Sequence, residues 1–226
     1  MDEFRRAMPR DRGWIVYMVL LPLWGLVVSL DSVPVAFAAF LAARAAYVLY
    51  VGFSLRAQAR SHWYSRRYGP EEGFRRFRCA ALALMVNDVA GIVAVCWAGR
   101  ATITGPLEPV AVVALGGVLC SVGVGVRAWA TASLPEGSFF WKGSFLPQTC
   151  NRFVTTGPYR WFRNPMYTLG YLHAYGAALL FQSLPGLAAA AVAQAGILLM
   201  CWWAERPHTE RLRLSSSARG AARRAA

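Results

Sequence analysis

Acidic residues are scarce in this chain. Its 226 residues hold 11 Asp and Glu against 24 Lys and Arg, a formal net charge of +13. Charged residues of both signs reach only 15%, while hydrophobic residues make up 57%. With a mean hydropathy of +0.36, this balance excludes an ordinary soluble domain of such length. Cysteine is also sparse and badly spaced for chemistry. The five residues Cys79, Cys96, Cys120, Cys150 and Cys201 form no C-x-x-C pair, and most fall inside apolar runs. A disulfide frame and a zinc site are thereby excluded, and no metal is expected. Internal repeats are lacking, and no Gly/Pro-broken helix pair recurs in two equivalent halves, which argues against a transporter built from inverted repeats.

Long apolar runs are present, at residues 14–30, 33–55, 79–98, 107–126, 166–181 and 184–203. A spanning helix needs about 20 apolar residues. The expected fold is therefore all-α, a polytopic transmembrane helical bundle of about six spans. The short fifth run is joined to the sixth by the uncharged turn sequence Gln182-Ser183-Leu184-Pro185-Gly186, which predicts a C-terminal helical hairpin. The first run is longer than a signal-peptide core, and Leu30-Asp31-Ser32 is no small-x-small cleavage site, so it is expected to be retained.

The basic residues sit between the runs rather than in one patch, so an anionic inner leaflet is the simpler partner and no nucleic acid is expected. They also alternate in position. Arg5, Arg6, Arg10 and Arg12 precede the first run, and the segments 56–78, 127–163 and 206–224 are all basic. The connection near Asp31 and the hairpin turn carry none, and 99–106 carries only Arg100. The positive-inside bias predicts an integral membrane protein with both termini in the cytoplasm, in a bacterial inner membrane or one of endoplasmic-reticulum type. Residues 1–213 read as one transmembrane domain, with 116–213 as the half that carries a cofactor site. Residues 214–226, rich in Ser, Ala and Arg, read as a disordered basic tail lying on anionic lipid.

Two charges fall inside runs. Counting at 1.5 Å per residue puts Arg44 and Asp88 each about 15 Å below the outer ends of consecutive antiparallel helices. An unpaired charge there costs roughly 3 kcal/mol, so a buried Arg44–Asp88 pair is expected, serving first as structural glue.

Three further patches share one membrane face by topology. They are Gly123-Val124-Gly125-Val126-Arg127, the stretch from Gly157-Pro158-Tyr159-Arg160 through Arg163-Asn164-Pro165-Met166-Tyr167, and Glu205-Arg206-Pro207-His208 after Trp202-Trp203. Each has an ordinary reading: close helix packing for the glycines, a helix start for Asn-Pro, positive-inside charges for the arginines. Glu205 stands out because acids are few and it directly follows an aromatic membrane edge, poised for a cation.

At these residues the chain resembles the integral-membrane methyltransferases that include phosphatidylethanolamine N-methyltransferase and isoprenylcysteine carboxyl methyltransferase. The shared pattern is Gly-Pro-Tyr-Arg, then Arg-(His/Asn)-Pro-x-Tyr opening a hairpin, then an acidic pair followed by proline. Asn164-Pro165-Met166-Tyr167 and the Gly-x-Gly of Gly123 and Gly125 resemble the phospholipid branch. The chain departs from the family at Arg206, where a second acid is usual, with Glu210 about a turn onward.

The resemblance implies S-adenosylmethionine as cofactor, S-adenosylhomocysteine as product, and methyl transfer to the headgroup amine of a membrane phospholipid at the cytoplasmic leaflet. The residues expected to hold the cofactor are Gly123, Gly125, Arg160, Arg163, Asn164, Pro165, Glu205 and Arg206. Tyr159, Glu136 and Trp141 are expected at the acceptor, and Tyr167, His208 and Glu205 at the chemistry. The aromatic loop 135–151 is expected to lie at the interface and cap the site. Rival readings are another lipophilic acceptor, such as a prenylated cysteine carboxylate, and a non-catalytic carrier or scaffold.

Overall fold

The computed structural model describes residues 32–105, 108–135, 138–146 and 154–205. The first apolar run, the 214–226 tail, Glu136, Arg206 and His208 lie outside the described residues, as does the side chain of Glu205. Among the described residues every regular element is helical. In chain order these are α1 (Val33–Ser61), α2 (Trp63–Tyr68), α3 (Pro70–Ala98), α4 (Pro109–Ala132), α5 (Lys142–Phe145), α6 (Leu172–Leu180) and α7 (Leu184–Met200), the last continued by a π turn over Cys201–Glu205. Short 3-10 turns cover Ser138–Phe140, Gly157–Arg160 and Leu169–Tyr171.

Four helices are long and apolar enough to cross a membrane: Val33–Ser61, Pro70–Ala98, Pro109–Ala132 and Leu184–Ala204. They coincide with the second, third, fourth and sixth apolar runs. Each begins with a proline in its first turn, where the missing N–H is no loss and the fixed φ suits the helix. At the start of α7, Ser183 adds a side-chain cap on the Gly186 N–H at 3.0 Å, one of the orphan donors of a helix start. At the other end of α7, Arg56 donates to the Trp203 carbonyl at 3.2 Å and lies 4.7 Å from the Trp203 ring. A cation at a helix C-terminus is favourably placed against the dipole.

The fifth run behaves differently. Only nine of its residues, Leu172–Leu180, are α-helical. At 1.5 Å each they span about 13 Å, against a hydrocarbon core of about 30 Å. The expected hairpin is present, since α6 packs on α7, but its first arm reaches only part of the way. The chain beneath it, 154–171, runs through turns and 3-10 geometry.

Packing divides the bundle into two groups. Helices α1, α3 and α7 pack on one another, α4 packs chiefly on α6, and α6 joins the groups through α7 and α3. Helix α4 is accordingly the most exposed of the four long helices, with Val110, Leu115, Val118, Val122 and Val124 all turned outward. Its seam with α6 is built from glycine. A Cβ on Gly116 would lie 2.9 Å from both the Gly176 carbonyl oxygen and the Leu180 nitrogen. One on Gly123 would strike the backbone nitrogen of His173 and lie 2.9 Å from its Cα. Small residues let two backbones meet where side chains would hold them apart.

Candidate functional site

The 154–171 segment is positioned by hydrogen bonds that replace a helix ladder. Gly157 opens it at φ +58, a left-handed conformation glycine adopts without cost, and a Cβ there would run into the Ser133 hydroxyl at the end of α4. The Asn164 carbonyl accepts from the N–H groups of Tyr167 and Thr168, both at 3.1 Å, and the Pro165 carbonyl accepts from Gly170 at 2.8 Å. From α7, Gln194 Nε2 donates to the carbonyls of Tyr167 at 3.1 Å and Thr168 at 3.3 Å. Its Oε1 accepts from the Tyr175 hydroxyl at 2.8 Å. One half-buried amide thus serves the Tyr167 carbonyl and adds a second donor to the Thr168 carbonyl, which also accepts from the Tyr171 N–H at 3.0 Å. Irregular backbone at membrane depth persists only where protein covers it or where it lines a polar cavity.

Here it lines one. A cavity is bounded by Arg44 and Tyr47 of α1, Asp88 of α3, Arg127 of α4, Trp141, and Tyr167, Tyr171 and His173 of the hairpin's first arm. The expected ion pair lies at its edge, with Arg44 Nη2 at 2.8 Å from Asp88 Oδ2. The same Nη2 donates to the Tyr171 hydroxyl at 3.2 Å. Matching depth on antiparallel helices thus does join Arg44 to Asp88.

The loop ahead of the segment supplies another wall through Phe139, Phe140 and Trp141. Phe145, 2% exposed, anchors that loop in a socket of rings, 5.0 Å from Phe77, 5.7 Å from Phe74 and 5.8 Å from Tyr64. Gln58 fastens it further. Its Nε2 donates to Ser65 Oγ at 2.6 Å and the Ser144 carbonyl at 3.4 Å, and its Oε1 accepts from the N–H groups of Tyr64 and Ser65.

The residues expected from sequence fall in three places. Tyr167 and Trp141 line the cavity. Gly123 and Pro165 are taken up by packing, the first against His173 and the second fully buried. Gly125 has open space beside its Cα. Arg160 and Arg163 are exposed, Tyr159 and Asn164 half-buried. Arg160 lies 6.0 Å from the Trp161 ring, and Asn164 Nδ2 donates to Cys201 Sγ at 3.4 Å, tying the turn to the end of α7. The backbone of Glu205 closes the π turn. Arg127, Tyr171 and His173 were not among the expected site residues, although a histidine inside an apolar run is itself a signal. Its Nδ1 meets the Gly170 carbonyl, so the imidazole is held by the turn that precedes it.

Residues 111–212 match the family model of the phospholipid methyltransferases. This second half of the chain belongs to that family. No curated protein and no solved structure matches the chain. The family region takes in α4, the 154–171 segment and the hairpin, while α1 and α3 lie before it. With four helices fit to cross a bilayer, the molecule is an integral membrane methyltransferase.

Proposed function

We propose that the protein transfers a methyl group from S-adenosylmethionine to the headgroup amine of a membrane phospholipid, phosphatidylethanolamine or its methylated forms, at the cytoplasmic leaflet with both termini on that side. The observation that carries this reading is a polar, aromatic-walled cavity at membrane depth, lined by the irregular 154–171 segment inside the family region. Such a place offers charged and aromatic groups to a lipid headgroup.

The residues present fit the cofactor in part. Gly125 leaves the α4 backbone open to close approach, as glycine permits. Arg160 and Arg163 present exposed guanidinium groups, whose planar fork suits a carboxylate or phosphate. Asn164 lies beside them, and Glu205 and Arg206 follow the last helix; Gly123 and Pro165 contribute by fixing the backbone. When bound, the cofactor supplies an electrophilic methyl on a sulfonium.

The protein's share is to orient and desolvate the acceptor and to accept its proton, since only an amine with a free lone pair attacks. Tyr167 and Trp141 face the acceptor from the cavity wall. Tyr159 and Glu136 complete the reading as further contacts to the acceptor, with His208 or Glu205 taking the proton. A drier site favours a step in which positive charge moves off sulfur.

The test is transfer of labelled methyl by purified protein with phosphatidylethanolamine, its monomethyl form and a farnesyl-cysteine analogue offered in parallel. Label in the phospholipids alone is expected. Label in the farnesyl-cysteine analogue alone would move the acceptor to a carboxylate, and label in none would refute the reading.

A further inference from the structure

Arg44 and Asp88 lie outside the family region, and their pairing leaves much of both groups unused. Arg44 is 5% exposed and Asp88 4%. The ion pair engages Nη2 and Oδ2, and the Tyr171 hydroxyl is a second partner of Nη2. Arg44 Nε, Arg44 Nη1 and Asp88 Oδ1 have no hydrogen-bond partner among the described residues. A pair serving only as glue gains by closing all its polar atoms, because each one left unmatched in an apolar interior carries a desolvation penalty.

These atoms belong to residues that border the cavity, and Arg127 borders it as well. Two arginines and one aspartate therefore border the same space. A simple anion would leave Asp88 Oδ1 unmatched, and a simple cation would face two positive groups. A molecule with an anionic oxygen group and an ammonium a few bonds apart matches both. Beside α3 the cavity comes close to the bundle surface, since Val89 lines it and is 51% exposed.

We propose that this cavity is a zwitterion subsite. Phosphate or carboxylate oxygens accept from Arg44 Nε and Nη1 with Arg127 nearby, and an ammonium donates to Asp88 Oδ1. The inference takes its choice of ligands from the proposed function but not its geometry. Two participants in that reaction carry this chemistry, the phosphoethanolamine headgroup and the amino-acid end of the methyl donor.

The experiment is calorimetric titration of the full-length protein in detergent, with no methyl transfer involved. The probes are dihexanoyl phosphatidylethanolamine, dihexanoyl phosphatidylglycerol, S-adenosylhomocysteine and its deaminated analogue. On the wild type, removing the amine from the ligand that uses the site is expected to weaken binding at least tenfold. Equal binding within both pairs would overturn the proposal. Asp88→Asn is expected to erase that tenfold preference for one zwitterion, and which one it is assigns the site to lipid or to methyl donor. A folded Asp88→Asn that keeps both preferences would also overturn it. Should Asp88→Asn fail to fold, Ala174→Leu fills the same cavity without touching the ion pair. It must weaken the same ligand tenfold, and unchanged binding again overturns the proposal. Tight Asp88-dependent binding without methyl transfer would refute the catalytic reading and leave the subsite. Methyl transfer with Asp88-independent binding would do the reverse.

Discussion

Two glycines two residues apart on α4 should respond to the same substitution in opposite ways. At Gly123 a new Cβ meets the His173 backbone nitrogen, the His173 Cα and the Leu172 carbonyl carbon. None of these is the end of a flexible side chain, so α4 and α6 must separate along their seam. Overpacking of this kind costs about 3 kcal/mol, roughly a hundredfold in the folding equilibrium. At Gly125 nothing lies within 4 Å of the new atom, and alanine gains about 1 kcal/mol of helix propensity over glycine. Gly123→Ala should therefore unfold at lower sodium dodecyl sulfate fraction in mixed micelles, followed by circular dichroism, while Gly125→Ala holds or gains stability. Titration with S-adenosylhomocysteine separates the roles further. If Gly125 gives the cofactor its approach to the backbone, Gly125→Ala binds at least tenfold more weakly at undiminished stability. Equal stability losses in the two variants, or none in Gly123→Ala, would refute the close approach of α4 to α6. Unchanged binding in Gly125→Ala would remove that glycine from the cofactor site.

Arg44→Met strands the buried Asp88 carboxylate and should cost about 4 kcal/mol. Adding Asp88→Leu should recover most of that loss, and a double-mutant cycle in the same denaturant measures the coupling. Gln194→Leu takes the amide donor from the Tyr167 carbonyl and leaves the Thr168 carbonyl with the Tyr171 N–H alone. The expected loss is about 2 kcal/mol, with faster amide exchange in the 164–171 turns than in α3 as the local readout. Phe145→Ala empties the ring socket under the aromatic loop, at a cost of about 4 kcal/mol. It should expose residues 138–146 to limited proteolysis, and protection equal to wild type would show that the loop is held by Gln58 instead.

What could be read from the amino acids followed from geometry that counting preserves. The four long helices were legible because a bilayer demands about 20 apolar residues whichever face they turn to protein. The faces were not legible for the same reason: Val118 and Val122 are exposed and Ala189 and Ala193 are buried in protein, yet all are apolar. Gly123 and Gly125 are alike as letters in a motif. Only the position of His173 makes one a packing residue and leaves the other open. Arg44 and Asp88 could be paired in advance because each sits on an unbroken helix, where residues from the membrane edge convert directly to depth. Tyr171 and His173 stand at that same level, but no count reaches them. Between Asn164 and Leu172 the chain passes through turns and 3-10 geometry, and the rise per residue that would give their depth is not constant there. The cavity therefore joins two kinds of residue, those whose depth the helix period dictates and those whose depth is set by the Asn164, Pro165 and Gln194 hydrogen bonds. Met166, Tyr167 and Tyr171 are of the second kind, and His173 and Ala174 stand on the first turn of α6, whose starting depth that irregular stretch sets.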